Sequence, residues 1–409
     1  MRHPRERSAR RAAMGQATLG LNASGNQQPG TTFNGNGTTS YSSASGDGSA
    51  NYSYDPTGQL IGASYSPLPR GEGQGVRASQ ANESYTWDAN GNPANSGDVI
   101  GPDNELLSDG TYNYTYDAEG NRTAKFIDAN ADGVLSGGDT DITLYTWDNR
   151  ERLVGVTSYA SYSAEQAGTP TQVVDYLYDA ENRWVGESVS VPGQPVEQIR
   201  FTYDGNQIVL EFEGTGTAPL TTANLSHRYL WQPGVVDQLM ADERTGLDTS
   251  GNIVSNELLF ALADQQGTVR DLAKVDAATG IASVADHIIY SSFGGLTSES
   301  DPSQGCLFKF TGRAADSLTG IEFHDERVKI AGSTDWMSVD PSGFTAGQTN
   351  PRDYCGNSPT NASDPSGLAD EPSDAGARPA WTLQGSKKPG PEYAGPIPQS
   401  LLTASDWSA

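Results

Sequence analysis

Short runs in which apolar and polar residues alternate recur along most of the chain, at 142–148, 153–159, 172–178, 196–203, 207–213, 227–231, 257–263, 268–274 and 286–291. They are rich in Tyr, Thr, Val and Ile and are bounded by Asp, Asn and Gly. Successive side chains of a strand point to opposite faces, so a period of two with turn residues at both ends predicts a strand. Helical spacing persists nowhere for long.

One motif repeats within this pattern: YSYDPTGQL (52–60), YTWDANGNP (85–93), YTYDAEGNR (114–122), YTWDNRERL (145–153), YLYDAENRW (176–184) and FTYDGNQIV (201–209). Its Asp55, Asp88, Asp117, Asp148, Asp179 and Asp204 are 33, 29, 31, 31 and 25 residues apart, so each unit is short and its length elastic. Alternate aromatics such as Tyr114 and Tyr116 fall on one face of a strand, and the following Asp is placed to cap the turn's backbone N–H groups. Gly58, Gly91 and Gly120, three residues after their Asp, allow the positive φ that a tight connection needs. Asn182 and Arg152 break that rule; Asn tolerates positive φ, whereas Arg152 predicts a longer or differently shaped turn. The repeated Tyr, Trp and Asp are read as packing and turn residues.

These YxYDxxGN segments resemble the YD-repeat or RHS family, whose repeats coil as a β-sheet spiral into a hollow cocoon. The resemblance implies an all-β chain, a partial cocoon-like shell with the family's core region at its C-terminal end. Six units are few to close such a shell. Residues 1–50 read as a disordered leader, since 15–50 are Gly, Ser, Asn and Thr with little to bury. The repeat array then occupies 51–227, with inserts at 67–81 and 128–139. The insert 67–81, PLPRGEGQGVRASQA, reads as a surface loop; its GEGQG follows no strand and precedes no helix, so it is not a phosphate loop.

Composition narrows the function classes. Lys and Arg number 25 against 51 Asp and Glu, a net charge of −26, which repels a phosphate backbone and disfavours nucleic-acid binding. Cys306 and Cys355 stand 49 positions apart with no CxxC or His companions, so they read as buried free thiols. No window approaches the roughly 18 apolar residues of a membrane helix. The first residues, MRHPRERSARRAAMG, are basic but lack the apolar stretch of a secretory signal. Extracellular or cell-surface location is therefore expected from the family resemblance alone, with no signal peptide visible in this chain.

Residues 128–139, DANADGVLSGGD, match D-x-N-x-D-G-x5-D and are similar to the calcium loops of EF-hand and dockerin proteins. A hard cation wants several oxygens at fixed spacing, here Asp128, Asn130, Asp132, the Val134 carbonyl, Ser136 and Asp139, with Gly133 at the tight turn. Asp139 is shorter than the usual Glu at the last position. Calcium is the one cofactor this pattern suggests, and a plain Asp/Asn/Gly turn is the alternative.

Residues 228–368 resemble the RHS repeat-associated core of polymorphic toxins and toxin-complex C subunits. The segments RYLWQPGVVDQLM, DQQGTVRDL, YSSFGG, FKFTGRAADSLTGIEFHDERV and VDPSGF, then NPRDYCGNSPTNASDPSGL, occur in the family's order. In that family the core cuts itself after the DPxGL leucine, using the aspartates of two DPxG motifs as an aspartic-protease-like pair. The resemblance places these at Asp340 and Asp364, with Arg327 to orient the acids or stabilise an oxyanion and cleavage between Leu368 and Ala369. The family's RYYDPxxGRF is here Arg327-Val328-Lys329-Ile330-Ala331-Gly332-Ser333-Thr334-Asp335-Trp336, which loses the Tyr pair, the first Asp-Pro and the second arginine. Both DPSG tetrads also read as simple turns. The 41 residues 369–409 hold no His and no Cys and read as a short disordered tail rather than an effector. Expectation thus centres on a non-catalytic encapsulating or surface scaffold whose C-terminal effector is absent or truncated. Its partners would be its own C-terminal tail, missing upstream repeats, or a cell-surface or glycan ligand. The alternatives are a self-cleaving core, and an adhesin or glycan-binding module, which requires exposed ring pairs.

Overall fold

The computed structural model describes residues 38–42, 49–66, 80–233, 237–247, 253–343 and 350–372. Strands β1 (Thr38–Ser42), β2 (Ser49–Tyr54), β3 (Leu60–Ser66) and β4 (Glu83–Ser84) form one antiparallel sheet. Sixteen strands form the next: β5 (Asp98–Ile100), β6 (Leu106–Asp109), β7 (Asn113–Tyr116), β8 (Arg122–Ile127), β9 (Thr140–Trp147), β10 (Leu153–Ser161), β11 (Gln172–Tyr178), β12 (Trp184–Ser190), β13 (Glu197–Asp204), β14 (Gln207–Thr215), β15 (Leu225–Trp231), β16 (Leu239–Leu247), β17 (Ile253–Ala263), β18 (Val269–Val275), β19 (Ala282–Tyr290) and β20 (Leu296–Glu299). Their order in space is their order in sequence, so the sheet is one antiparallel meander, open at β5 and β20. Two small sheets follow, β21 (Ala314–Asp316) with β22 (Ile321–Phe323) and β23 (Val328–Ile330), then β24 (Ala362–Ser363) with β25 (Glu371–Pro372). The all-β expectation holds, one short helix, α1 (Tyr162–Gln166), aside.

Every complete repeat turns its corner the same way. The N–H of the Asp bonds the carbonyl four residues on, and the N–H three residues on returns to the Asp carbonyl, for Asp55, Asp88, Asp117, Asp148 and Asp179. The carboxylate collects the N–H groups two and four residues on, as Asp88 does from Asn90 and Asn92 at 2.8 and 2.9 Å. Partial burial opposes ionisation, yet these donors hold the carboxyls of Asp55, Asp88, Asp148 and Asp179 below their ordinary value. Asp264, in the DQQG segment, builds the same turn with Gln266 and Thr268. The Arg152 expectation is corrected: the residue three after Asp148 is Glu151, which adopts φ 58, and the turn has the common length. Arg152, one place later, instead ion-pairs with Asp148 at 2.6 Å.

Consecutive units are tied by the aromatic that ends the first strand of each unit after the first. Trp87 donates to the Leu60 carbonyl, Trp147 to Arg122, Tyr178 to Leu153, Tyr203 to Trp184 and Trp231 to Ile208, all between 2.6 and 2.8 Å. Each acceptor begins or adjoins the return strand of the unit before. The Arg152 guanidinium lies 5.0 Å from the Tyr178 ring and Arg183 lies 4.9 Å from Tyr203, so a charged residue of one unit also seats the ring of the next.

One face of the meander is apolar and is filled by the chain's own later residues. Tyr145, Val156, Tyr176, Trp184, Phe201 and Tyr229 from the strands share a core with Phe308, Ile321, Phe323, Val328 and Met337. Trp184 stacks on Phe323 at 3.9 Å. The four-stranded sheet joins a second core with Tyr290, Phe293, Phe310, Trp336 and Tyr354, so the first repeat packs near β19 at the far end of the meander. Ser292 N–H donates to Glu83, and Tyr85 meets Phe293 edge-on at 5.1 Å. The large sheet therefore curls without its two edge strands pairing.

Three boundaries move. Strand β1 pairs with β2 from Thr38, inside the expected 1–50 leader, whose residues 1–37 and 43–48 lie outside the described ones. Strand β15 runs through the expected division at 227/228, so repeat array and core share one sheet. Strand β25 pairs with β24 at Glu371–Pro372, inside the segment read as a disordered tail from residue 369; residues 373–409 lie outside the described ones. Of the insert 67–81, only residues 80 and 81 are described.

Removing the hydroxyls of Tyr178 and Tyr203 tests the inter-unit ties. Each of Tyr178→Phe and Tyr203→Phe is expected to lower stability by about 1 kcal/mol, a typical net hydrogen bond, in equilibrium urea unfolding. A double variant within about 0.3 kcal/mol of the wild type would exclude these ties as stabilising contacts.

Candidate functional site

The turn between β22 and β23 carries His324 to Arg327, closed by the His324 N–H on the Arg327 carbonyl at 3.0 Å. Two further turns bring in the acids. Each is a DPSG turn whose Gly N–H returns to the Asp carbonyl, at 2.8 Å for Gly343 to Asp340 and 3.4 Å for Gly367 to Asp364. The turn reading of both tetrads is therefore met. The turns also converge: one Arg327 nitrogen, Nη2, lies 3.0 Å from Asp340 Oδ2 and 3.3 Å from Asp364 Oδ2, with all three side chains 1% exposed. Asp340 Oδ2 sits in this ion pair without a hydrogen bond of its own.

Asp364 reaches the Leu368–Ala369 peptide directly. Its Oδ1 accepts the N–H groups of Gly367 at 2.8 Å, Ala369 at 3.1 Å and Leu368 at 3.2 Å. The carboxylate thus touches the amide nitrogen that leaves if this bond is cut. Arg327 Nε donates to the Gly367 carbonyl and Nη1 to Pro351 at 3.2 Å, so the guanidinium fixes acids and backbone together. Burial draws its pKa below the ordinary value against the pull of Asp340 and Asp364. Gly367, at φ 74, disfavours a side chain twice over: the left-handed backbone strains one, and a Cβ there would stand 3.0 Å from Arg327 N.

Neighbouring residues that motif reasoning did not single out complete the site. His324 Nδ1 lies 2.6 Å from the Asp364 carbonyl, an acceptor, so Nδ1 carries the proton. Its Nε2 is buried without a hydrogen-bond partner. Burial, then the charges of Arg313 and Lys329, hold His324 well below its usual pKa and hence neutral. Asp353 is buried, and desolvation together with Asp370 and Asp335 pushes it up to about 8. Asp335 is raised to about 6 by burial. No spacing rule marks His324 or Asp353; only the fold brings them to the Asp364 turn.

The stretch from Arg327 to Trp336 is densely packed. Lys329, fully buried, pairs with Glu322 at 2.7 Å and lies 5.0 Å from the Tyr354 ring. Trp336 packs under the Arg327 guanidinium at 4.2 Å. From the closing motif, Asn357 donates to the Gly91 carbonyl at 2.6 Å, Asn350 to Asn92 at 2.8 Å and Arg352 to the Gly120 carbonyl at 2.8 Å. The Asp364 segment is thereby tied to the turns of the second and third repeats.

In the 128–139 loop the oxygens are taken up by the loop itself. Asp128 accepts N–H groups from Asn130, Ala131 and Gly133. Asp132 accepts from Val134, and the buried Asp139 accepts from Ala129 and Ser136. Among the described residues, the three acidic or histidine groups whose ligand atoms converge are Glu211, Glu213 and His227, not the acids of this loop. Val134 is 60% exposed. The repeat aromatics of the described residues are buried or half-buried, none fully exposed, and so form no open carbohydrate track.

No family model and no curated protein matches the chain. Similar solved structures include the crystal structure of TcdB2-TccC3 without its hypervariable C-terminal region, at 17% identity over 78% of this chain and TM-score 0.47. A second is the Photorhabdus luminescens Tc holotoxin pore with a substituted TccC3, at 18% identity over 79% and TM-score 0.48. The chain spans 17% of the length of each.

Two measurements follow from these geometries. Glu187 and Asp353 are raised to about 8 and Glu211 to about 7, chiefly by burial, so the folded chain holds protons there that the unfolded chain has released. Stability from these groups is full near the unfolded carboxyl value of about 4 and is lost as pH rises through 7 to 8. Neutral His324 acts the opposite way below about 6.5. Tm is therefore expected to rise from pH 8 to pH 6.5, and Asp353→Asn to flatten that rise; an unchanged slope in the variant would refute the assignment.

For the loop, the D-x-N-x-D-G spacing predicts a calcium-dependent increase in Tm at about 1 mM calcium, lost in Asp128→Ala. An unaltered Tm would leave a self-capped turn.

Proposed function

We propose that this chain is a segment of a YD-repeat-type shell that encloses its own residues from Cys306 onward, a scaffold rather than a turnover enzyme. The observation that carries this reading is the shared core of the meander's inner face and residues 306–337. A curled sheet with open edges at β5 and β20 suits completion by further repeats or a partner chain. No helix among the described residues is long and apolar enough to cross a membrane. An extracellular or surface setting fits the abundance of Asp turns and the charge of −26. Enclosure is tested by thiol labelling, because Cys306 and Cys355 are buried in the two cores and burial pushes the Cys306 thiol up to about 12. Both cysteines should resist a maleimide in the native chain and react in denaturant. Native reaction at the rate of the denatured chain would refute enclosure.

A second reading, self-cleavage after Leu368, is favoured by the contact of Asp364 with the Ala369 N–H and by the guanidinium it shares with Asp340. Water would add to the Leu368 carbonyl carbon and give a proton to one carboxylate. The other acid would protonate the Ala369 nitrogen as the C–N bond breaks, leaving a Leu368 carboxylate and a free Ala369 amine. Mass spectrometry of the purified chain is expected to find an N-terminus at Ala369, absent in Asp364→Asn and Asp340→Asn. A wild-type chain that stays intact from pH 4 to 8 would sink this reading.

A further inference from the structure

A separate polar cluster sits on β14, β15 and β16. Glu211 and Glu213 are two residues apart on β14 and so share a face. His227 on β15 pairs directly with Glu211, which places its ring on that face as well. A register shift between Glu211 and Phe212 bends the ladder at this point. One ligand atom from each of Glu211, Glu213 and His227 lies within 4.8 Å of the others.

The histidine is set from behind. Its Nδ1 lies 2.8 Å from Oδ1 of Asp242, a fully buried side chain on β16 that Arg244 Nε also holds at 3.3 Å. With Nδ1 engaged, Nε2 is the atom turned toward the glutamates, 3.7 Å from Glu213 Oε1. A carboxylate that fixes one imidazole nitrogen so that the other presents its lone pair is the usual support of a metal-bound histidine. Glu211 is nearly buried, with Tyr229 donating to its Oε2 at 2.5 Å, while the Glu213 side chain is 49% exposed and leaves the cluster reachable from solvent.

An independent feature of the same face points to a cation. Glu187 on β12 lines up with Glu213 through Ile199, by the pairings Glu187 with Ile199 and Ile199 with Glu213. Glu187 is 3% exposed and its Oε2 has no hydrogen-bond partner. A buried carboxylate oxygen without a partner, in the row beside two more glutamates, is an acceptor whose proton a bound cation would displace.

We propose that Glu211, Glu213 and His227 bind a divalent ion of the zinc type, with Asp242 as the positioning residue for His227. One imidazole and two carboxylates suit zinc better than calcium, which takes oxygen ligands in larger number. The ion would clip β14 to β15 on the inner face.

The test uses the full chain, stripped with chelator, titrated with zinc chloride or calcium chloride in a calorimeter and assayed for retained metal after desalting. One zinc per chain is expected, with calcium at the same concentrations failing to displace it. Glu213→Gln, at a half-exposed position that the core does not need, should weaken zinc binding at least about tenfold, and Asp242→Asn about tenfold through the loss of His227 orientation. His227→Gln should abolish stoichiometric uptake. Absence of saturable zinc binding, or zinc binding unchanged in Glu213→Gln, overturns the proposal.

Discussion

Each repeat after the first closes its first strand with an aromatic whose N–H or O–H donates to a carbonyl at or near the start of the return strand before it. This contact converts a string of similar hairpins into one sheet. An isolated hairpin is marginal in water. Here the ring that fixes register between units is also the ring that ends the strand, and at Trp87, Trp147, Tyr178 and Tyr203 the next residue is an Asp that opens the turn. Tyr178, Asp179 and Arg183 show the economy of the device: the ring reaches back to Leu153, the carboxylate gathers the turn's N–H groups, and Arg183 pairs with Asp179 while seating Tyr203 of the following unit. Because every tie runs to the adjacent unit, unit length can vary from 25 to 33 residues without breaking the meander.

A sheet built this way has one face that must be covered. The cover is the chain's own segment from Cys306 onward, and the cost is a set of acids buried beneath it. Glu187, Glu211, Asp242, Asp271, Asp286 and Asp316 are each no more than 5% exposed. They are managed individually: Tyr176 donates to Asp316 at 2.7 Å, Ser300 to Asp286 at 3.0 Å, and His287 meets Asp271 at 2.6 Å. Where no donor is supplied, as at one oxygen of Glu187, the carboxyl retains its proton to higher pH. The negative balance visible in composition is thus carried partly inside the fold, which a count of charges cannot reveal.

Much of this fold was legible because its determinants are local. Alternation and the Asp turn marked β9, β10, β11, β13, β14, β15, β17, β18 and β19, since both are properties of a few adjacent residues. Strand β12 was missed because WVGESVS carries a central glycine; Gly186, at φ 148, lets the strand pass where a Cβ would meet the Ile199 carbonyl. Strand β16, LMADERTGL, was missed because it buries the charged Asp242 on the inner face. The Asp148 turn was misjudged at Arg152: the residue three after Asp148 is Glu151, whose left-handed φ is disfavoured locally and is held by the bonds between Asp148 and its neighbours in the turn. The acids of the Arg327 cluster could be named from motif resemblance, but His324 and Asp353 join them only through the contact of distant turns, which no periodicity encodes.

The stretch from Arg327 to Trp336 shows how packing fixes the site's arrangement. Val328 enters the inner core, and beside it stands Lys329, whose ammonium would be untenable there alone. Glu322, across the three-stranded sheet in register with Lys329, neutralises it at 2.7 Å, and the Phe293 carbonyl accepts a further bond at 3.1 Å. With that pair in place β23 holds its register, and the strand's first neighbour, Arg327, is delivered to the same point between Asp340 and Asp364. Trp336 packs against the guanidinium while the Gly367 carbonyl accepts from its Nε, so the arginine is held between the acids on both counts. The geometry of the acid pair is therefore set by packing around Arg327.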